Sequence, residues 1–99
     1  MNESLNCTYK KISPDTVQII AGHIIDNEFE KTFMVFPFGE FFFEIDFSNV
    51  YDLDSHALGI LKQLMIHSKT GFPVVINSPS AKVLEILTMV KFDQLFEIR

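Results

Sequence analysis

The side chains best suited to chemistry lie together in the segment Asp52-Leu53-Asp54-Ser55-His56-Ala57-Leu58-Gly59. The segment joins a predicted strand to a predicted helix, a junction where α/β proteins often carry ligand sites and switches. The first turn of a helix offers free N–H groups and about half a positive charge. A phosphate on Ser55 would add roughly −1.5 to −2 charges there. The helix would tolerate this charge, but Asp52 and Asp54 would repel it, and a partner bound at this corner would be displaced.

The same residues also have a purely structural interpretation. Asp54 is then the N-cap of the helix, and Ser55 and His56 are exposed first-turn residues without a function. Most Asp-Ser pairs at helix starts are only caps, so the residue types alone favour this second interpretation.

No enzyme or metal motif is recognisable elsewhere. Cys7, His23, His56 and His67 share neither a nucleophile-elbow nor a metal-ligand spacing, and there is no Gly-rich phosphate loop. His56 and His67 are about three helical turns apart, too far to share a metal. The single cysteine excludes a disulfide framework and a cysteine-based zinc site. We therefore expect a binding module without metal or cofactor; a small hydrolase using Cys7 or a histidine is the less favoured alternative.

Composition predicts one globular domain spanning residues 1–99. Hydrophobic residues make up 47% of the chain and charged residues 21%. Eight basic against thirteen acidic residues argue against binding nucleic acid, because no basic stripe is available. The net charge of −5 resides in residues 1–50, which fits a basic partner or simple solubility. No apolar run is long enough to cross a membrane, and residues 1–5 do not resemble a signal peptide, so we expect a cytoplasmic protein.

Periodicity and turn residues predict the order β-β-α-β-α-β-α-β. The predicted strands are 6–12, 16–21, 41–47, 73–77 and 95–98, and the predicted helices are 27–35, 55–69 and one that starts at 78. The first two strands are antiparallel, and the later ones alternate with helices and should be parallel. The fold class is thus α/β, a small mixed sheet of four or five strands with helices mainly on one face.

Helix starts and buried faces follow from the same patterns. Asn27 and Ser78 are predicted N-caps, with Pro79 at the first position of the last helix. The expected buried faces are Ala57, Leu58, Leu61, Leu64 and Met65 in the second helix, and Val83, Leu84, Leu87 and Val90 in the third.

Phenylalanine is concentrated between residues 29 and 47. Most of these rings must be core, but three successive Phe in one strand require at least one, Phe42, to point to the other face. We expect Phe36, Phe38 and Phe42 to be the candidates for an interface with a partner or a second copy.

Two stretches, 45–50 (Ile-Asp-Phe-Ser-Asn-Val) and 53–61 (Leu-Asp-Ser-His-Ala-Leu-Gly-Ile-Leu), resemble the core of the STAS domain. That family includes the bacterial anti-sigma factor antagonists and the cytoplasmic tails of sulfate transporters. Gly71 before an apolar strand and the segment 78–83 opening a helix also fit, so the resemblance runs through residues 16–98. It implies the α/β fold derived above.

In the anti-sigma antagonists, a partner kinase, which is itself the anti-sigma factor, phosphorylates the Ser after the helix-start Asp. The resemblance assigns this role to Ser55 and partner contact to the residues around it, Asp52, Asp54, Ser55, His56 and Gly59. It implies that phosphorylation releases the kinase and that a PP2C-type phosphatase restores binding.

The chain departs from the family pattern at several positions. His56 replaces the second Ser, Ala57 replaces the usual Gly, and Asp26 comes one place late. The resemblance therefore leaves two functions open: a regulator switched at Ser55, or a constitutive accessory subunit, for example of a lipid-transport ATPase complex.

Overall fold

The predicted element order is confirmed in the computed structural model, which describes residues 7–99. The strands are β1 (Thr8–Ser13), β2 (Thr16–Ile20), β3 (Phe42–Asp46), β4 (Val75–Asn77) and β5 (Glu97–Ile98). The helices are α1 (Asn27–Met34), α2 (Ser55–His67) and α3 (Ala81–Met89), and a short 3-10 helix (Phe92–Gln94) precedes β5. Residue 6, where the first strand was predicted to begin, lies outside the described residues.

The five strands form one sheet in the order β1-β2-β3-β4-β5. The β1–β2 pair is antiparallel, and every other neighbouring pair is parallel. Each parallel step moves one strand along the sheet through one helix. Because such crossovers are right-handed, successive steps in one direction put all three helices on the same face. The predicted α/β class, with helices on one face, is therefore confirmed.

The two central strands show why this face is the core. Residues of β2 and β3 alternate between buried and half-buried. Val17, Ile19, Phe43 and Ile45 face the helices and are at most 2% exposed. Phe42 lies on the opposite, helix-free face, as the period of two requires.

Aromatic and aliphatic side chains of the helices fill the space above these strands. The Phe33 ring lies 5.9 Å from that of Phe29 and 6.5 Å from that of Phe43, both edge-on. Each helix contributes two fully buried side chains to the same core: Phe29 and Phe33, Leu61 and Leu64, Val83 and Leu87.

Two predicted N-caps are wrong. The N-cap of α1 is Asp26, not Asn27, because the Asp26 carboxylate accepts the Glu28 N–H at 3.1 Å. The N-cap of α3 is Ser80, not Ser78, and Pro79 lies before the helix. Ser78 has a left-handed backbone (φ 59°) and its N–H donates to the Arg99 carbonyl at 2.9 Å, so it still belongs to the end of the sheet.

The predicted buried faces are only partly correct. In α2, Leu58 and Met65 are half-buried, and Ile60 and His67 are buried instead. In α3, Leu84 and Val90 were predicted to be buried but are 39% and 40% exposed. The buried residues of α3 are Val83 and Leu87, one helical turn apart.

Core truncation on α2 tests this arrangement. We expect Leu61→Ala, at a fully buried site, to lower the free energy of unfolding by about 2–5 kcal/mol because it leaves a cavity. Leu84→Ala is the matched control on an exposed site and should cost much less. Urea denaturation of both variants measures the difference, and equal losses would mean that the core is misplaced.

Candidate functional site

The loops that follow β2 and β3 meet at the carboxyl end of the sheet. The Ala21 N–H donates to the Asp46 carbonyl at 3.1 Å, and the Tyr51 N–H donates to the His23 carbonyl at 3.2 Å. The His23 and Tyr51 rings lie 5.5 Å apart. These contacts hold loops 21–26 and 47–54 together beside the first turns of α1 and α2. We call this region the Ser55 corner.

Asp54 sets the start of α2. Its backbone is extended, and its carboxylate accepts the Ala57 N–H at 2.8 Å, the usual bond of an N-cap. Its carbonyl accepts the Leu58 N–H at 3.0 Å, the first bond within the helix. Ser55 is therefore the first helical residue, is exposed, and has no part in the cap.

His56 joins the starts of two helices. Its Nε2 lies 3.2 Å from Oδ1 of Asn27, and because an amide oxygen only accepts, Nε2 donates. The side chain is exposed, as predicted. The sequence analysis assigned Asn27 to a cap and missed this contact, since the two residues are far apart in the chain.

Carboxylates surround a small cleft in the corner. The cleft has a volume of about 180 Å³ and is lined by Ile24, Ile25, Asp26, Tyr51, Asp52, Asp54, His56 and Ala57. Ile24 and Tyr51 are 49% and 60% exposed, so an acidic rim adjoins accessible apolar surface. The sequence analysis did not select these two residues. Their only signal is that each is a large apolar residue within a polar loop.

Asp52 has its own contacts at the edge of the corner. Its carboxylate accepts the Leu53 N–H at 2.8 Å and lies 3.6 Å from Nζ of Lys82, near the start of α3. Both side chains of this ion pair are more than half exposed, so its contribution to stability is small. The ion pair nevertheless places the Lys82 ammonium group beside the carboxylates of the Ser55 corner.

Gly59 lies on α2 four residues after Ser55, and therefore on the same helix face. A Cβ atom built at Gly59 would meet nothing within 4 Å. The fold consequently has no need of glycine at this position. The structure thus brings the predicted residues Asp52, Asp54, Ser55 and His56 into one corner, with Gly59 one turn further along α2.

The three predicted interface phenylalanines lie apart from this corner, and they do not all lie on one face of the sheet. Phe36 is half-buried on the helix side, with its ring 5.2 Å from that of Tyr9. Phe38 is 68% exposed and stands edge-on to His67 at 5.5 Å. Phe42 lies on the helix-free face, 5.4 Å from the Phe72 ring, so the three do not form one patch.

The remaining candidate nucleophile and ligands have structural surroundings. Burial raises the pKa of the Cys7 thiol, an effect that a hydrogen bond with Thr32 opposes in part. His67 is buried, and its Nε2 donates to the Phe36 carbonyl at 2.6 Å. Within residues 7–99, no group of three or more His, Cys, Asp or Glu side chains is arranged to hold a metal ion. The described part of the chain also contains no helix with the length and apolarity to span a membrane.

Substitution of the two residues at the start of α2 separates the cap from the free hydroxyl. We expect Asp54→Ala to lower the free energy of unfolding by about 0.5–2 kcal/mol, because the Ala57 N–H loses its acceptor. Ser55→Ala should change it by less than about 0.5 kcal/mol, as for an exposed residue. Chemical denaturation measures both variants, and a larger loss in Ser55→Ala would show that the hydroxyl is structural.

Comparison with known families agrees with the geometry. The family model of the STAS domain matches residues 12–99, which include the whole parallel part of the sheet and the Ser55 corner. No curated protein matches the chain significantly. The match covers most of the chain, and the chain therefore belongs to the STAS domain family.

Proposed function

We propose that the Ser55 corner is a protein-binding surface that reversible phosphorylation of Ser55 switches off. One observation carries the proposal: Asp54 caps α2, so the exposed Ser55 hydroxyl has no part in the cap and is accessible to a kinase. Had Ser55 been the cap itself, its modification would have cost the helix its first-turn bond. As it stands, Ser55 can carry a phosphate while Asp54 keeps that bond.

The first turn of α2 is electrostatically suited to a phosphate. It contains no acidic residue, whereas the first turn of α1 contains Glu28 and Glu30. The Asp54 carboxylate accepts only the Ala57 N–H, so a phosphate on Ser55 could accept hydrogen bonds from the other N–H groups of the first turn.

The same corner supports a partner with basic and apolar groups. Asp26, Asp52 and Asp54 attract a basic surface, and the exposed Ile24 and Tyr51 offer apolar contact beside them. A phosphate added at Ser55 would have to lose its bound water within that interface, and it would change the shape of the Ser55 corner. The bound partner would be released for both reasons.

Membership of the family supports a general regulatory or accessory role for the chain. We extend this to a specific pair of partners, an anti-sigma factor that is also a serine kinase and a PP2C-type phosphatase, acting in the cytoplasm. In this proposal the chain is a substrate and a binding module, without cofactor or catalytic role of its own.

Phosphopeptide mapping of the protein isolated from its native host tests the switch. We expect a fraction of molecules to carry one phosphate on Ser55, and Ser55→Ala to lack it. In pull-downs from host lysate, Ser55→Ala should retain the kinase and Ser55→Asp should lose it. Unmodified protein under all growth conditions, or a phosphate that persists in Ser55→Ala, would contradict the assignment.

A constitutive accessory subunit is the second candidate. It is favoured by the contact of His56 with Asn27. In the family pattern the position after Ser55 is a second serine, whereas here it is a histidine that joins two helices. This function requires that Ser55→Asp and Ser55→Ala bind the same partner equally well. Neighbouring genes for transport-ATPase subunits would support it, and genes for a kinase or PP2C-type phosphatase would support the switch.

Gly59→Ala separates partner contact from folding. The added methyl group meets nothing in the fold, and alanine favours a helix, so the free energy of unfolding should rise by about 0.4–1 kcal/mol. Pull-down of the partner should nevertheless decrease, because α2 would then hold the partner further away. Unchanged partner capture with raised stability would place Gly59 outside the binding surface.

A further inference from the structure

Large apolar side chains are exposed at all three connections that lead from a helix to the next strand. These side chains are Met34, Val35 and Phe38 at and after the end of α1, Ile66 and Phe72 around the end of α2, and Met89, Val90 and Leu95 from the end of α3 to β5. Because the strands are parallel, all three connections lie at the amino end of the sheet, opposite the Ser55 corner. We call this surface the apolar end. In the described connections from strand to helix, the exposed large apolar side chains are Ile24 and Tyr51.

The central part of the apolar end lies around the end of α2. The Phe38 ring packs edge-on against His67 at 5.5 Å, and the Gly39 N–H donates to the His67 carbonyl at 2.9 Å. Ile66 and Phe72 both line a groove of about 430 Å³ beside the end of α2. Phe38, Ile66 and Phe72 are 68%, 54% and 72% exposed. Several exposed apolar side chains at one end of a sheet are more typical of an interaction site than a single exposed residue is.

Charges around the apolar end are of both signs. Lys31 lies in the last turn of α1 and Lys91 directly follows Val90, while Glu40 and Asp93 lie in the adjoining connections. Within residues 7–99, none of these four side chains is in an ion pair. A mixed rim of this kind is complementary to itself, since a two-fold axis can set the cations of one copy against the anions of the other.

The charge distribution also indicates whether a lipid surface or a second copy of the chain covers the apolar end. An anionic lipid surface attracts a cluster of basic residues, and the apolar end has no excess of them. A second copy suits the patch better, because contact through the apolar ends keeps the two acidic Ser55 corners as far apart as the molecule allows.

We propose that the apolar end is a two-fold interface with a second copy of this chain. Phe38 and Phe72 lie in this interface, and the groove beside the end of α2 receives side chains of the other copy. Both Ser55 corners then point away from the interface and stay accessible. One dimer can therefore hold two partners, whichever of the two proposed functions the corner serves.

Analytical ultracentrifugation across a wide concentration range tests the interface. We expect the wild type to dimerise, and Phe38→Ser/Phe72→Ser to weaken the dimer at least about tenfold. The matched control is Ile24→Ser/Tyr51→Ser, which removes two exposed apolar side chains at the opposite end and should leave the dimer unchanged. Far-UV circular dichroism and thermal melting verify that both variants fold.

Three results would overturn the proposal. The first is a wild type that is monomeric at every concentration. The second is a dimer that is weakened by Ile24→Ser/Tyr51→Ser but not by Phe38→Ser/Phe72→Ser. The third is a monomer that floats with anionic vesicles and needs Phe38 and Phe72 to do so. The last result would identify a membrane surface as the occupant. None of them depends on phosphorylation, so the interface and the Ser55 switch succeed or fail separately.

Discussion

The hydrogen bond from the Ala57 N–H to the Asp54 carboxylate fixes where α2 begins, and the arrangement of the Ser55 corner depends on it. It places Ser55 at the first helical position and leaves its hydroxyl exposed. It also orients His56 toward Asn27, which ties α2 to the start of α1. The cap is itself held in place, because the Tyr51 N–H anchors the preceding loop to the His23 carbonyl. A local bond thereby sets the geometry of a surface built from two loops and two helices.

The topology then separates two kinds of surface. Every helix of the parallel part starts at the carboxyl end of the sheet, and each start needs a side chain that accepts hydrogen bonds, supplied by Asp26, Asp54 and Ser80. Carboxylates therefore collect at that end. Every helix ends at the other end of the sheet. The unbonded backbone groups there are carbonyls, and the negative end of the helix dipole does not favour acidic side chains. That end is free to expose apolar residues, so a binding corner and an apolar end can act independently in one small domain.

Local patterns predicted much of this fold because they rest on local physics. The alternation in β3 identified its buried face, and Asp54 was recognised as a cap from its position before an apolar helix. The errors arise where distant residues decide. Ser78 looks like a cap, but its N–H bonds to Arg99 across the sheet, and the cap moves to Ser80. Leu84 has the right spacing for a buried position, but spacing does not reveal which neighbours the fold brings to it, and in the folded chain it is 39% exposed. Likewise, the periodicity of the sequence could not predict the contact between Tyr51 and His23, which lie in different loops.

Magnitudes explain why a phosphate on Ser55 would act on binding more than on folding. The helix dipole favours an anion at the first turn by about 0.3–1 kcal/mol. Repulsion from one carboxylate about 6 Å away in water is of a similar size, about 0.7 kcal/mol per unit charge. Two such carboxylates and a phosphate of roughly −1.5 to −2 charges give about 2–3 kcal/mol of repulsion before screening by salt, which is below the total stability of a typical domain, about 5–15 kcal/mol, so the free domain stays folded. In a bound complex the same charge loses its water, and an uncompensated buried charge costs several kcal/mol. At the exposed first position of α2, a phosphate would thus cost the fold less than it would cost a complex that buries it.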